Sequence, residues 1–159
     1  MNITVYDSAL VVHITGITLM AGATFIDFAT FRQFWKVYPV DKTKGFVIGD
    51  ILYRLQRFMG IGMGLILLSG ITMMVYMHQV WGEQTWFRIK MIFLLLIIIN
   101  GLGIRRRLGN KLKKYMAEES AGQSALSKLS ALKGNITVVH ILQIVFFITI
   151  FTLSVFKFN

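Results

Sequence analysis

Four stretches of this chain are apolar for long enough to cross a bilayer: Ala9 to Phe34, Leu55 to Met77, Phe87 to Ile104 and Ile136 to Phe156. A helix needs about 20 residues to span the hydrocarbon core, and in lipid its backbone polar groups must be satisfied within the segment. The pattern therefore predicts transmembrane helices, and four of them can enclose a polar interior. The chain as a whole is too apolar for a soluble domain, with 55% hydrophobic and 15% charged residues among 159. The expected fold is all-α: an integral membrane four-helix bundle forming a single domain over residues 1–159.

Met1 to Ser8 carries no Lys or Arg, and the first apolar run is too long for a signal-peptide core, so it reads as a retained helix. With no cysteine the chain has no disulfide, no thiolate metal site and no c-type heme attachment, so any heme is held non-covalently.

The formal net charge of +10 is concentrated in two places. Loop 36–54 holds Lys36, Lys42, Lys44 and Arg54, and loop 105–133 holds Arg105, Arg106, Arg107, Lys111, Lys113, Lys114, Lys128 and Lys133. The positive-inside rule then puts both loops in the cytoplasm and both termini outside, as expected for a multi-pass protein of a bacterial inner membrane. Anionic lipid, rather than nucleic acid, accounts for the basic surplus.

Within the first span, His13, Gly16, Met20, Ala23 and Asp27 recur at helical spacing with Thr24 beside them, a stripe that should face the bundle. Pro39 ends this helix, leaving residues 36–54 as a cytoplasmic connector. The second span carries Gly60, Gly62, Gly64 and Gly70; glycines four apart admit either a neighbouring backbone or a flat ligand such as a porphyrin face against Gly60 and Gly64. Trp81 and Trp86, around the short outer loop, suit an interfacial aromatic belt. Residues 108–133 lack proline and predict a cytoplasmic helix, amphipathic and surface-lying, broken near Gly122.

All three histidines lie inside or at the ends of spans, where polar side chains usually mark function. By helical rise, His13, His78 and Lys90 form an outer cluster, while Asp27, Asn100, His140 and Gln143 form an inner one with Arg57 deeper toward the cytoplasm. Imidazole is the commonest metal and heme-iron ligand, which makes His13, His78 and His140 candidate metal ligands. His13 and His78 could share one heme iron, or His78 could simply cap an interfacial helix end. His140 ligates, or hydrogen-bonds Asp27 or Asn100. Lys90 either snorkels outward or meets a heme or porphyrin propionate, with Arg88 or Arg57 as a second anion partner. Asp27 is either a proton relay or the counter-ion of Arg57, and Lys90 and Asp27 are the candidate catalytic groups. Met73, Met74 and Met77 preceding His78 offer a soft site for copper as the alternative.

The run "HITGITLMAGATFIDFATFR" from His13 resembles the opening helix of the HemJ-type protoporphyrinogen oxidases, and "WFRIKMIFLLL" resembles that family's Trp, Lys and Leu-rich third span. The same sketch is shared with CopD-like copper-resistance membrane domains. The resemblance implies a b-type heme, His13 as the essential histidine, Lys90 as the family's lysine, and oxidation of protoporphyrinogen IX with electrons passed to an unidentified acceptor. Three functions follow as expectations: a heme protein for electron transfer or porphyrin oxidation, a copper-binding or copper-transport protein, or a non-catalytic membrane subunit. A homo-oligomer is compatible with each.

Overall fold

The computed structural model describes the backbone of residues 3–81 and 83–157, and the side chains of 4–77 and 83–157. The elements are α1 (Ile3–Val37), α2 (Lys42–Trp81), α3 (Thr85–Ile98), a wide π-helical segment (Ile99–Arg105), α4 (Arg106–Ser120) and α5 (Leu126–Phe156). There is no strand among the described residues. Because α3, the π segment and α4 run on without interruption, the chain makes four continuous helices, each long and apolar enough to cross a membrane. It is an all-α four-helix membrane protein.

The helices extend beyond the apolar spans, which changes two expectations. The connector between the first two helices is not residues 36–54 but only Tyr38 to Asp41. Pro39 stops α1, and Asp41 restarts helix at once: its Oδ1 accepts the backbone N–H of Lys44 at 3.0 Å, satisfying one of the donors a helix start leaves open. The second change concerns α4, which does not lie apart on a surface. Its Gly109, Leu112 and Met116 are buried. Leu112 and Met116 join Phe34, Tyr38, Leu52, Leu129 and Leu132 in one apolar cluster. The break after α4 falls where expected, with Gly122 at φ +81, a conformation that favours glycine. Glu119 ties this turn down, accepting from Lys42 at 2.6 Å and from the Ala125 N–H at 2.8 Å.

The molecule thus has a basic end, holding the 38–41 and 121–125 connections, and a terminal end, where α1 begins and α5 finishes. Lipid offers no hydrophobic drive between helices, so close packing has to hold them. The α1–α2 seam does so through small residues. A Cβ placed on Gly62 would sit 2.8 Å from the Met20 nitrogen and 2.9 Å from the Gly16 carbonyl oxygen. Close approach therefore belongs to Gly16 and Gly62, whereas Gly60 and Gly64 face open space. A second seam joins α3 to α5, and Met20, Met63, Ile97, Phe147 and Ile150 close the gap between the two pairs. Val11, Leu68, Val75 and Ile92 are all at least 60% exposed and turn an apolar surface outward, toward lipid.

Candidate functional site: two polar layers

The π segment determines what the basic end can hold. In an α-helix two residues five apart point about 140° away from each other. In a turn closed by i→i+5 hydrogen bonds they stack on one face. Asn100 and Arg105 are five apart in "INGLGIR", and both are buried. Two glycines, Gly101 and Gly103, leave this stretch without side chains to resist the widening.

Arg105 reaches Asp27 of α1 with two parallel bonds, Nε to Oδ2 and Nη2 to Oδ1, each 2.9 Å. His140 of α5 closes the group, its Nε2 2.7 Å from Asp27 Oδ2. A carboxylate oxygen can only accept, so Nε2 carries the hydrogen, and the ring is held between Phe28 and Phe31. All three side chains are at most 3% exposed. One turn away, Asn100 Nδ2 donates to the Val139 carbonyl at 2.9 Å and to Gln143 Oε1 at 2.7 Å. The carbonyl fixes the Asn100 amide, which in turn fixes that of Gln143: its Nε2 is a donor, buried and without a partner. Arg105 Nη1 and His140 Nδ1 are likewise buried without a partner.

These groups border a cavity of about 420 Å³ between the helices, whose wall also includes Tyr53, Gln56, Arg57, Gly60, Arg106 and Asn110. The expected inner cluster is therefore real: Asp27, Asn100, His140 and Gln143 come together, and His140 bonds Asp27. One assignment needs correction. The counter-ion of Asp27 is Arg105, not Arg57, which instead lines the cavity and lies 5.9 Å from the Tyr53 ring centroid. Arg105 itself was masked in the sequence by its place at the head of an Arg-Arg-Arg run, the usual mark of a helix leaving the membrane. The signal that could have singled it out is its spacing of five from Asn100 across two glycines.

The terminal end is sparser. His13 sits opposite Ser69, with Nδ1 2.9 Å from the Ser69 hydroxyl oxygen and the ring packed over Gly70. Ser69 spends its own hydrogen on the Leu65 carbonyl, so its oxygen accepts from His13. That arrangement places the imidazole hydrogen on Nδ1 and the lone pair on Nε2. Lys90, half-buried near the start of α3, is within electrostatic reach of His13, and Arg88 is exposed at the same end. Lys90 and Asp27 are not brought together: Asp27 lies about 21 Å further along α1 than His13. The His78 side chain lies outside the described residues; on the α2 backbone its position is about 13 Å beyond Ser69. His13 and His140, at opposite ends, do not share a site. Among the described residues no three His, Asp or Glu side chains are grouped to hold a metal ion. Trp86 does not join an interfacial belt: it is 4% exposed and its indole N–H bonds the Gln84 side-chain oxygen.

Fold and sites together define an integral multi-pass membrane protein with a polar layer at each end of its bundle. In comparisons with known proteins, no family model, curated protein or solved structure matches the chain.

Proposed function

We propose that the protein is a membrane-embedded redox protein that carries a b-type heme on His13 and serves electron transfer or porphyrin oxidation. The observation that carries this reading is the Ser69–His13 hydrogen bond. Imidazoles that ligate a metal characteristically donate their other ring N–H to a fixed oxygen, which orients the ring and leaves the ligating nitrogen its lone pair. His13 has that arrangement, so the donor fits the group. The seam between α1 and α2 leaves no room for a ring plane at Gly16 and Gly62.

The heme supplies one-electron chemistry, and the chain's own side chains supply binding and electrostatics. His13 would hold the iron through Nε2, and Ser69 holds the ring in one tautomer. Lys90 neutralises a propionate, with Arg88 as the second cation on the same side. Asp27, pinned by Arg105 and His140, belongs to the other end and joins helices rather than relaying a proton. The basic end faces the cytoplasm of a bacterial inner membrane, with both termini outside.

Purification from heme-replete cells tests the reading. A Soret band with sharp reduced α and β bands, abolished in His13→Ala and retained in His140→Ala, is the expected result; a colourless, metal-free preparation overturns it. Stoichiometric copper, lost on changing Met77 and His78, would transfer the protein to the copper class. Complementation of a strain lacking protoporphyrinogen oxidase separates porphyrin oxidation from simple electron transfer.

A further inference from the structure

The wall of the cavity at the basic end carries cations without a carboxylate and buried donors without an acceptor. Arg57, Arg105 and Arg106 all line it, and its sole carboxylate is Asp27. Asp27 is already consumed, with one oxygen on Arg105 Nη2 and the other shared by Arg105 Nε and His140. Among the described residues, neither Arg57 nor Arg106 has a carboxylate within salt-bridge distance. Two further donors are buried and unanswered: Arg105 Nη1 on a side chain 3% exposed, and Gln143 Nε2 on one 4% exposed. The Gln143 amide lies over Gly101, where a Cβ would come within 3.5 Å of Nε2, so the glycine keeps the approach to that donor open. Arg57 and Arg106 are exposed at the rim of the cavity, whereas the Arg105 and Gln143 donors are buried, where lacking an acceptor is costly.

We propose that this cavity is a binding site for a phosphate group. An anion supplies the missing acceptors, and three guanidinium groups with an amide suit a tetrahedral anion with several oxygens better than a planar carboxylate. The volume, about 420 Å³, lies in the range of small-ligand sites. The cavity sits between helices at the basic end, and basic pockets between transmembrane helices are known to take anionic headgroups. A soluble phosphate entering from the same end offers the same chemistry. The site is independent of the heme reading, because it shares no residue with His13, Ser69 or Lys90.

Binding to the full-length protein decides the matter, with nanodiscs of zwitterionic lipid doped with phosphatidic acid as one probe and inorganic phosphate as the other. Thermal stabilisation or saturable binding by either supports the site, and which probe acts identifies the source. Arg57→Gln with Arg106→Gln should weaken binding by roughly tenfold per guanidinium removed. Lys111→Gln with Lys114→Gln, which takes the same charge from outside the cavity wall, should leave it intact. In the unaltered protein, the bound probe should protect Arg57 and Arg106 from phenylglyoxal, a readout that does not depend on any variant folding. Absence of binding by both probes, equal loss in the two double variants, or no protection of the two arginines overturns the proposal.

Discussion

The two polar layers are built on opposite principles. At the terminal end a single imidazole is held by one hydroxyl, and its second nitrogen is left with a lone pair. At the basic end a carboxylate, a guanidinium and an imidazole, all buried, satisfy most of one another and leave donors over. The first arrangement suits a group that binds a cofactor, since little stability depends on it. The second locks α1, the π segment and α5 together, and losing either Asp27 or Arg105 strands a charge.

The largest test of that contrast is Asp27→Ala, which leaves the Arg105 charge buried and unpaired. Loss of one member of a buried pair costs about 3–5 kcal/mol, so unfolding in mild detergent should fall by that order. Joint replacement by Asp27→Leu and Arg105→Met should restore most of it, because the apolar pair carries no desolvation penalty. A single-variant cost below about 1 kcal/mol, the value of a surface pair, would erase the distinction between the layers. Next in size is Gly62→Val in the seam that both layers share. Its added atoms meet Gly16 and Met20 backbone rather than a yielding side chain, and overpacking of this kind costs about 1–3 kcal/mol.

Ser69→Ala probes the terminal layer alone. It should cost about 1 kcal/mol of stability or less. If His13 holds a heme, affinity should nevertheless drop roughly 10–100-fold, the usual effect of removing a ligand's hydrogen-bond partner. Loss of stability without loss of affinity would place His13 in the packing of α1 on α2. The smallest effect is expected outside both layers, at Asp41→Ala. The Lys44 backbone N–H, then the Lys44 ammonium, hold the Asp41 carboxyl below its usual range. A depressed carboxyl stabilises the fold above its unfolded pKa and ceases to do so as pH falls through the folded one. Acidification below about pH 4 should therefore fray the start of α2 in the parent chain and make no further difference in the variant, as read by amide hydrogen exchange.

How much was legible in the sequence follows from what each signal depends on. The four helices depend on local hydropathy, and Asp27, Asn100, His140 and Gln143 stand out because polar atoms at that depth must find each other. Arg105 did not stand out, since its meaning depends on a change of helical pitch that a period of 3.6 cannot express. The glycines misled for a related reason. Four-residue spacing marked Gly60 and Gly64, but the face that meets α1 is chosen by the crossing of two helices, and it presents Gly62. Helix lengths were underestimated because extensions at the basic end such as residues 42–54 are polar yet remain helical once Asp41 caps them.

The π segment also sets a constraint on how this chain tolerates change in length. Each residue added to or removed from a helix rotates everything beyond it by about 100°. Excising Gly101 or Gly103 would spare the hydropathy of the span and every side chain that forms a bond. It would leave Asn100 and Arg105 four apart, the spacing an ordinary α-helix stacks on one face, so the wide turn would close and Arg105, Leu112 and Met116 would keep their phase. A one-codon deletion in this stretch is thus absorbed by the wide turn, whereas an insertion there, or a deletion in the α-helix on either side, re-phases the rest of the third helix. In laboratory selections for function, a single-residue gap should be accepted more readily between Ile99 and Arg105 than in the α-helix on either side.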